Sequence, residues 1–407
     1  MSESKTKARI KHLPRNVWAV SLTSFFMDIS SEMVINILPM FLANVLGVRT
    51  SIIGIIEGVA EATASILKVF SGWLSDKLRG RKWIAVAGYA ISTLSKPFFY
   101  LANTWRMVAG VRWADRLGKG VRTAPRDALV ADSITPEQRG VAFGFHRAAD
   151  TGGAVVGLLI AILAVWLVQS TSTLLGENTF RTIVLISLIP AILAVLSLAI
   201  GARDTKDPEK LSVPKIRLKG LGKPFLTFLM IVGIFDLGNS SDAFLVLRAQ
   251  ERGISVLGVL AMLAVFNLVY ALVSAPAGSL SDRIGRRKVI IGGWVIYGLI
   301  YLGFALARQT WHIWTLYISY GLYYGLAYGT AKAMVADLVP PDLRGTAYGT
   351  YNAILGIIDF PASLIAGLLW QGAGAWQGLG PSAPFFFGAG LAFLAAVLML
   401  VWRPPRG

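Results

Sequence analysis

The sequence predicts an all-α membrane protein of twelve transmembrane helices in two pseudo-symmetric six-helix halves. Three observations carry this. Of 407 residues, 55% are hydrophobic and only 15% are charged, with a mean hydropathy of +0.61, far too apolar for ordinary soluble usage. Apolar runs of about 20 residues, each long enough to cross roughly 30 Å of hydrocarbon, recur along the chain. A pattern of glycines, aspartates and basic residues in the first half returns in the second at a nearly constant offset.

Taken in order, the first half places spans at 16–44, 51–75, 83–103, 106–133, 140–169 and 181–202. The second places them at 224–248, 254–279, 288–308, 311–338, 345–371 and 383–402. Ahead of the first span, 1–15 is polar and basic without a small-residue cleavage site, so it reads as an uncleaved cytoplasmic tail. Residues 203–223, with Lys206, Asp207, Glu209, Lys210, Lys215, Arg217 and Lys219, read as a cytoplasmic linker between the halves 16–202 and 224–402. Residues 403–407 read as a second cytoplasmic tail.

Orientation follows from the distribution of Lys and Arg in short connections. One side collects Lys5, Lys7, Arg9, Lys11 and Arg15, then Lys77, Arg79, Arg81 and Lys82, then Arg139, Arg283, Arg286, Arg287, Lys288, Arg344, Arg403 and Arg406. That side is expected to be cytoplasmic, with both termini on it and an even number of spans. The cytoplasmic (inner) membrane is the expected location. The formal charge of +17 therefore reads as loops facing anionic lipid rather than nucleic acid. Cysteine is absent and the only histidines are His12, His146 and His312. This excludes disulfides, thiolate metal sites and cysteine nucleophiles, and no cofactor is expected.

The repeat is explicit. Gly72-Trp-Leu74-Ser-Asp76-Lys77 returns as Gly278-Ser-Leu280-Ser-Asp282-Arg283, an offset of 206. One extra residue near Leu78 or Arg79 drops the offset to 205, and Gly80-Arg81-Lys82 then matches Gly285-Arg286-Arg287. The same offset joins Ala131-Asp132 to Ala336-Asp337, and Arg139-Gly140-x-Ala142-x-Gly144 to Arg344-Gly345-x-Ala347-x-Gly349.

The G-x-L-x-D-R-x-G-R-R stretch between the second and third spans of each half resembles the signature loop of the major facilitator superfamily. The second copy fits it fully; the first departs by its insertion and by Lys77 in place of arginine. The resemblance covers essentially the whole chain and implies the major facilitator fold and alternating access. It also implies a gating loop on the cytoplasmic face, made here by Gly72, Asp76, Arg81, Gly278, Asp282, Arg283 and Arg286. Ion pairs at a wet interface are worth about 1 kcal/mol or less, which suits a latch that breaks and reforms.

An ionisable side chain at the centre of a span costs roughly 2.5 to 3.5 kcal/mol, so each one is a site hypothesis. Asp28 and Glu32 are four apart on one face of the first span. The seventh carries Asp236, Asn239, Ser240, Ser241 and Asp242, so that Ser30-Ser31-Glu32 and Ser240-Ser241-Asp242 look like pseudo-symmetric partners. In the superfamily, spans one, four, seven and ten line the central cavity, which implies Glu32 and Asp242 on opposite sides of one cavity. In the fourth span Arg112, Asp115, Arg116 and Lys119 fall at i, i+3, i+4 and i+7, a continuous stripe. Their equivalents in the tenth are Tyr317, Tyr320, Gly321 and Tyr324, with Tyr323 and Tyr328 nearby. One half offers charge and the other an aromatic wall.

The run Asp115-Arg116-x-Gly118-Lys119-Gly120-x-Arg122-x-x-Pro125-Arg126-Asp127 resembles a little-characterised prokaryotic branch of the superfamily. Pro125 is expected to kink or end the fourth span, bringing Arg122 and Arg126 toward the cytoplasmic mouth. Three roles are open to the stripe: pairing with the first-span carboxylates, holding an anionic substrate, or relaying protons with Asp28 and Glu32. Burial favours a protonated carboxylate and an arginine contact favours an ionised one, so alternating exposure offers a route to proton coupling. Glu57 and Glu61 on the second span are read either as a structural polar network or as coupling groups. Arg147 and Asp150, three apart on the fifth, read as an internal ion pair with possible coupling. Gly153-x-x-x-Gly157 and Gly321-x-x-x-Gly325-x-x-x-Gly329 read as close helix contacts. Leu158 after Gly157 leaves the superfamily's usual Gly-Pro export pair incomplete.

The function expected is secondary active transport of a small polar or charged molecule by alternating access, with proton-coupled efflux as the leading reading. Its partners are a small-molecule substrate, protons and the bilayer, and the chain is expected to act as a monomer. Uptake or exchange of an organic anion on the Arg/Lys stripe is the alternative, and a non-transporting sensor is the alternative of another class. No G-x-x-x-x-G-K-[ST] occurs, which disfavours ATP-driven transport, and no His pair or H-E-x-x-H supports an intramembrane enzyme.

Overall fold

The computed structural model describes residues 13–78, 80–135, 138–169, 172–204, 220–340 and 343–402. Both predicted tails (apart from 13–15), most of the linker and the side chains of Asp76, Arg139, Gly278, Asp282 and Tyr328 lie outside the described residues. The rest is almost wholly helical. In the first half, α1 is Arg15–Ile35, α2 Thr50–Leu78, α3 Lys82–Leu101, α4 Trp105–Ala131, α5 Arg139–Gln169 and α6 Glu177–Gly201. In the second, α7 is Gly222–Leu237, α8 Ala243–Glu251, α9 Val256–Ile284, α10 Arg286–Leu306, α11 Thr310–Tyr323, α12 Gly329–Asp337, α13 Arg344–Gln371 and α14 Ala383–Val401.

Every predicted span contains helix, but three are interrupted. The first leaves α-geometry after Ile35, resumes it briefly at Leu38–Met40 and ends in a π-helical turn at Phe41–Val45. The seventh breaks between α7 and α8 at Gly238-Asn239-Ser240-Ser241-Asp242, where glycine costs a helix backbone entropy and the Asn, Ser and Asp side chains compete for backbone partners. The tenth passes through a π-helical turn at Tyr324–Tyr328 between α11 and α12. Pro125 lies inside α4, which runs on to Ala131 rather than ending there. Among the described residues seven helical segments are long and apolar enough to cross a membrane by length and composition alone. The predicted second, third, fourth, seventh and tenth spans are not among them.

The described residues of 1–41, 63–170 and 175–214 form one compact unit, and those of 42–62, 171–174 and 215–407 a second. In the first unit α1 packs on α5 and α6, and α3 on α4 and α6. Its core joins Val17, Val20, Met27, Tyr89, Leu129, Val130, Ala142 and Leu198. In the second unit α7 packs on α13 and α14, and α10 on α11 and α14. The second list is the first transposed by six spans, as a duplicated fold requires. Close approach is built from glycine. A Cβ on Gly153 or Gly157 would stand 2.3 Å from Phe25 O or 2.5 Å from Ile29 O, so α5 lies backbone to backbone on α1. Gly118 meets Ser92 and Gly88 on α3, and Gly120 meets Ala64 and Leu67 on α2. Gly321 and Gly325 approach Val269 and Val273 of α9, whereas Gly329 has nothing within 4 Å and makes no such contact.

Arginines close helix ends in both units. Arg15 donates to the carbonyls of Ile200 and Gly201 at the end of α6, and Arg287 to those of Met399 and Leu400 at the end of α14. Each satisfies last-turn carbonyls that lack an intrahelical partner.

Candidate transport site

In the first unit the stripe on α4 faces inward. Arg112, Asp115, Arg116 and Arg122 are buried, with Arg112 only 1% exposed. Lys119, Arg126 and Asp127 are partly buried, as are Asp28 and Glu32 on α1. Arg112 Nη1 stands 3.9 Å from Asp115 Oδ2 on its own helix. Arg122 donates to Ser92 Oγ on α3 at 2.5 Å and lies over the Tyr89 ring, 4.7 Å from its centroid. Ser92 in turn donates to the Asp115 carbonyl at 2.9 Å. Toward the far end of α4, Arg126 donates to Ser24 on α1 at 3.3 Å and pairs with Asp127 at 2.8 Å. The result is a polar seam between α1, α3 and α4.

Asp28 lies within charge–charge range of Asp150 on α5, Glu32, Lys119 and Arg126. Glu32 Oε2 accepts from Asn36 Nδ2 at 2.8 Å. Asp150 Oδ1 is 3.9 Å from His146 Nε2, so histidine joins the residue that the sequence matched with Arg147. Lys96 on α3, which the spacing rules passed over, is 2% exposed and donates to Ser30 and Ser31 of α1.

The second unit holds aromatic density where the first holds charge. Tyr297, Tyr301, Tyr317, Tyr320 and Tyr323 are buried. Tyr297 stacks on Tyr301 with centroids 4.1 Å apart, and Tyr320 meets Tyr324 edge-on at 5.1 Å. Phe235, one residue before Asp236, stacks on Trp294 at 5.0 Å. Such contacts add about 0.5 to 1.5 kcal/mol each beyond area burial. Tyr320 donates to Asp242 Oδ1 at 3.0 Å, and Tyr297 to the Gly238 carbonyl and Asn239 Oδ1. Ser241 N donates to Ser363 Oγ on α13 at 3.2 Å. The break between α7 and α8 is thus sustained at membrane depth because side chains take up backbone groups that it frees. Asp236 is buried; Glu57 is buried and Glu61 partly so on the part of α2 that belongs to this unit. Arg248, fully buried, clamps α8 to the carbonyls of Phe304 and Ala305 and pairs with Glu251 on its own helix at 2.6 Å.

The predicted gating loops are described in part. Arg81 pairs with Asp132 at the end of α4, and Arg286 pairs with Asp337 at the end of α12 at 2.7 Å. Both members of the second pair stand 205 positions after those of the first, so each unit builds the same bridge. Asp204 Oδ1 also accepts from the backbone N–H groups of Arg81 and Lys82 at 3.0 and 2.8 Å, capping the start of α3. Gly72 lies against Ala124, where a Cβ would stand 3.3 Å away, and Arg283 is exposed.

The family model of the Major Facilitator Superfamily matches residues 20–257 and 225–407. This chain belongs to that superfamily. It is 35% identical over 402 residues to an uncharacterised MFS-type transporter of Methanocaldococcus jannaschii, covering 97% of both chains. It is 25% identical over 375 residues to the multidrug resistance protein MdtH of Citrobacter koseri, covering 89% of each. Among solved structures it is similar to the nucleoside transporter NupG, with a TM-score of 0.78 at 14% identity over 95% of this chain and 99% of that one. A superfamily member of this kind is a multi-pass membrane transporter and not an enzyme.

Proposed function

We propose that this superfamily member is a secondary active carrier that moves a small polar or charged molecule out of the cytoplasm in exchange for protons. The carrying observation is the seam in the first unit, where Arg112, Asp115, Arg116 and Arg122 are buried on α4, whose Lys119 and Arg126 come within charge–charge range of Asp28 on α1. Ionisable groups at this depth are costly and are maintained where they hold ions or cargo. Export is favoured by the likeness to a protein named for multidrug resistance. The cytoplasmic placement of both termini follows from the charge of the loops.

A thermal-stabilisation screen of the purified protein identifies the cargo class first, since ligand binding to the native state raises apparent stability by mass action. Succinate and ethidium serve as anionic and cationic probes in proteoliposomes under an imposed pH gradient. Flux that collapses when the gradient is dissipated, and in Glu32→Gln with insertion intact, is the expected result. Flux indifferent to the gradient would overturn proton coupling.

A second reading is favoured by the sign of the seam. Its buried side chains are three arginines and Lys96 against the single carboxylate of Asp115, an arrangement that suits an organic anion taken up or exchanged. Stabilisation by succinate and not by ethidium supports that reading.

A further inference from the structure

Lys96 lies five residues before the end of α3 at Leu101, about 8 Å along the axis at 1.5 Å per residue. A lysine so placed ordinarily runs its stem along the helix and sets its ammonium at the membrane interface. Here it is turned inward. Its Nζ donates to Ser30 Oγ and, at 3.3 Å, to Ser31 Oγ, and the residue is 2% exposed. Ser30 spends its own hydroxyl proton on the Ser187 carbonyl of α6 at 2.7 Å, so toward Lys96 its oxygen is an acceptor. Ser31 has a rotatable hydroxyl, able to accept from an ammonium or to donate to an amine.

The choice of partners matters. A carboxylate acceptor would favour the ammonium form and has no proton for an amine's lone pair, whereas a hydroxyl satisfies both protonation states. The arginines of the seam carry permanent charge, but a buried lysine is able to release its proton. Within charge–charge range of Lys96 are Asp28 on α1 and Asp115, Arg116 and Arg122 on α4. Glu32 follows Ser31 on α1, and α6 has its only charged residues, Glu177 and Arg181, in its first two turns. With Lys96 as an ammonium, it and its four charged neighbours number three cations and two carboxylates; with Lys96 as an amine, they number two of each.

We propose that Lys96 is a proton-carrying residue of the transport cycle, neutral when the seam is empty and charged when an anionic group enters it. This rests on the second reading, with the organic anion moving together with a proton, and adds a lysine to the carboxylates of the seam. The step is a simple transfer. An N–H bond of the ammonium breaks, the proton passes to water on the side to which the seam is open, and the nitrogen lone pair accepts a hydrogen bond from Ser31. Entry of an anion restores the third cation and draws the proton back, so cargo and proton bind interdependently.

The test follows the Lys96 nitrogen directly, with protons as the only probe. Full-length protein carrying lysine labelled with ¹⁵N at Nζ is followed by NMR from about pH 6 to about pH 11, a range that brackets neutral pH and the ordinary lysine value. The Lys96 signal is the one missing from Lys96→Arg and displaced in Ser31→Ala, the second variant serving if the first does not fold. Conversion from ammonium to amine position below the range of the exposed lysines is expected. An ammonium signal that persists with those of the exposed lysines overturns the proposal and leaves coupling through Glu32 standing. In the proteoliposome assay the ratio of succinate flux at low pH to that at high pH should fall toward one in Lys96→Arg. Retained pH dependence overturns the role of Lys96, whereas a wild type without pH dependence overturns the coupling reading itself.

Discussion

At the scale of single residues, the stripe on α4 shows how helical period alone exposes a site. Arg112, Asp115, Arg116 and Lys119 recur at three and four residues, so they share a face wherever the helix packs. The structure buries three of the four. If the face holds an anion, Arg112→Ala and Arg116→Ala should each weaken binding of an anionic ligand by about tenfold or more, consistent with the roughly 1.5 to 3 kcal/mol of a hydrogen bond to a charged group. Binding of a cation such as ethidium should be unchanged or strengthened. Thermal shift against ligand concentration reads both. Lys96 was not visible in the same way. A lone lysine near the end of a span carries no periodic partner, and its hydroxyl acceptors lie 65 and 66 positions away on another helix.

Helices add constraints that no single residue carries. The glycines on α5 were legible as close contacts from their four-residue spacing, but their partners were not, because a contact across helices depends on which faces meet. On α4 a Cβ at Gly118 would stand 2.5 Å from Ser92 Oγ and 2.6 Å from Gly88 O. Gly118→Ala should therefore lower stability by about 1 to 3 kcal/mol, the usual cost of overpacking. Gly329→Ala, with open space around the site, should be neutral or slightly stabilising; melting temperatures in detergent separate the two. The cap on α3 is a second case. Removing the carboxylate in Asp204→Ala leaves two first-turn N–H groups without it and should cost about 0.5 to 2 kcal/mol, whereas Asp204→Asn should retain most of the stability. The break between α7 and α8 escaped the apolar pattern because hydropathy is summed over a window and does not register where hydrogen bonds stop. Gly238, Asn239 and the two serines carried the signal, and the equivalent Ser30 and Ser31 stay helical in α1.

For the whole molecule, the repeat is the feature that organises the rest. Arg81 with Asp132 and Arg286 with Asp337 are the same bridge built twice, and the packing of helices in each unit follows one scheme. The charge of the loops predicts a topology that can be tested cleanly, since the chain has no cysteine. Lys210→Cys should be protected from a membrane-impermeant maleimide in intact cells and react after lysis, while Ser172→Cys should react in intact cells. The reverse pattern would invert the assigned orientation. By itself the sequence determined the membrane class, the duplicated halves, the superfamily and the charged and aromatic character of the fourth and tenth spans, because each is written in composition, in helical period or in a repeat along one chain. Only tertiary structure decided that Lys96 turns inward to Ser30 and Ser31, that Asp204 caps α3, and that Tyr320 holds Asp242. Each of those depends on which faces of distant helices meet, a property of packing in three dimensions that spacing along a single chain does not encode.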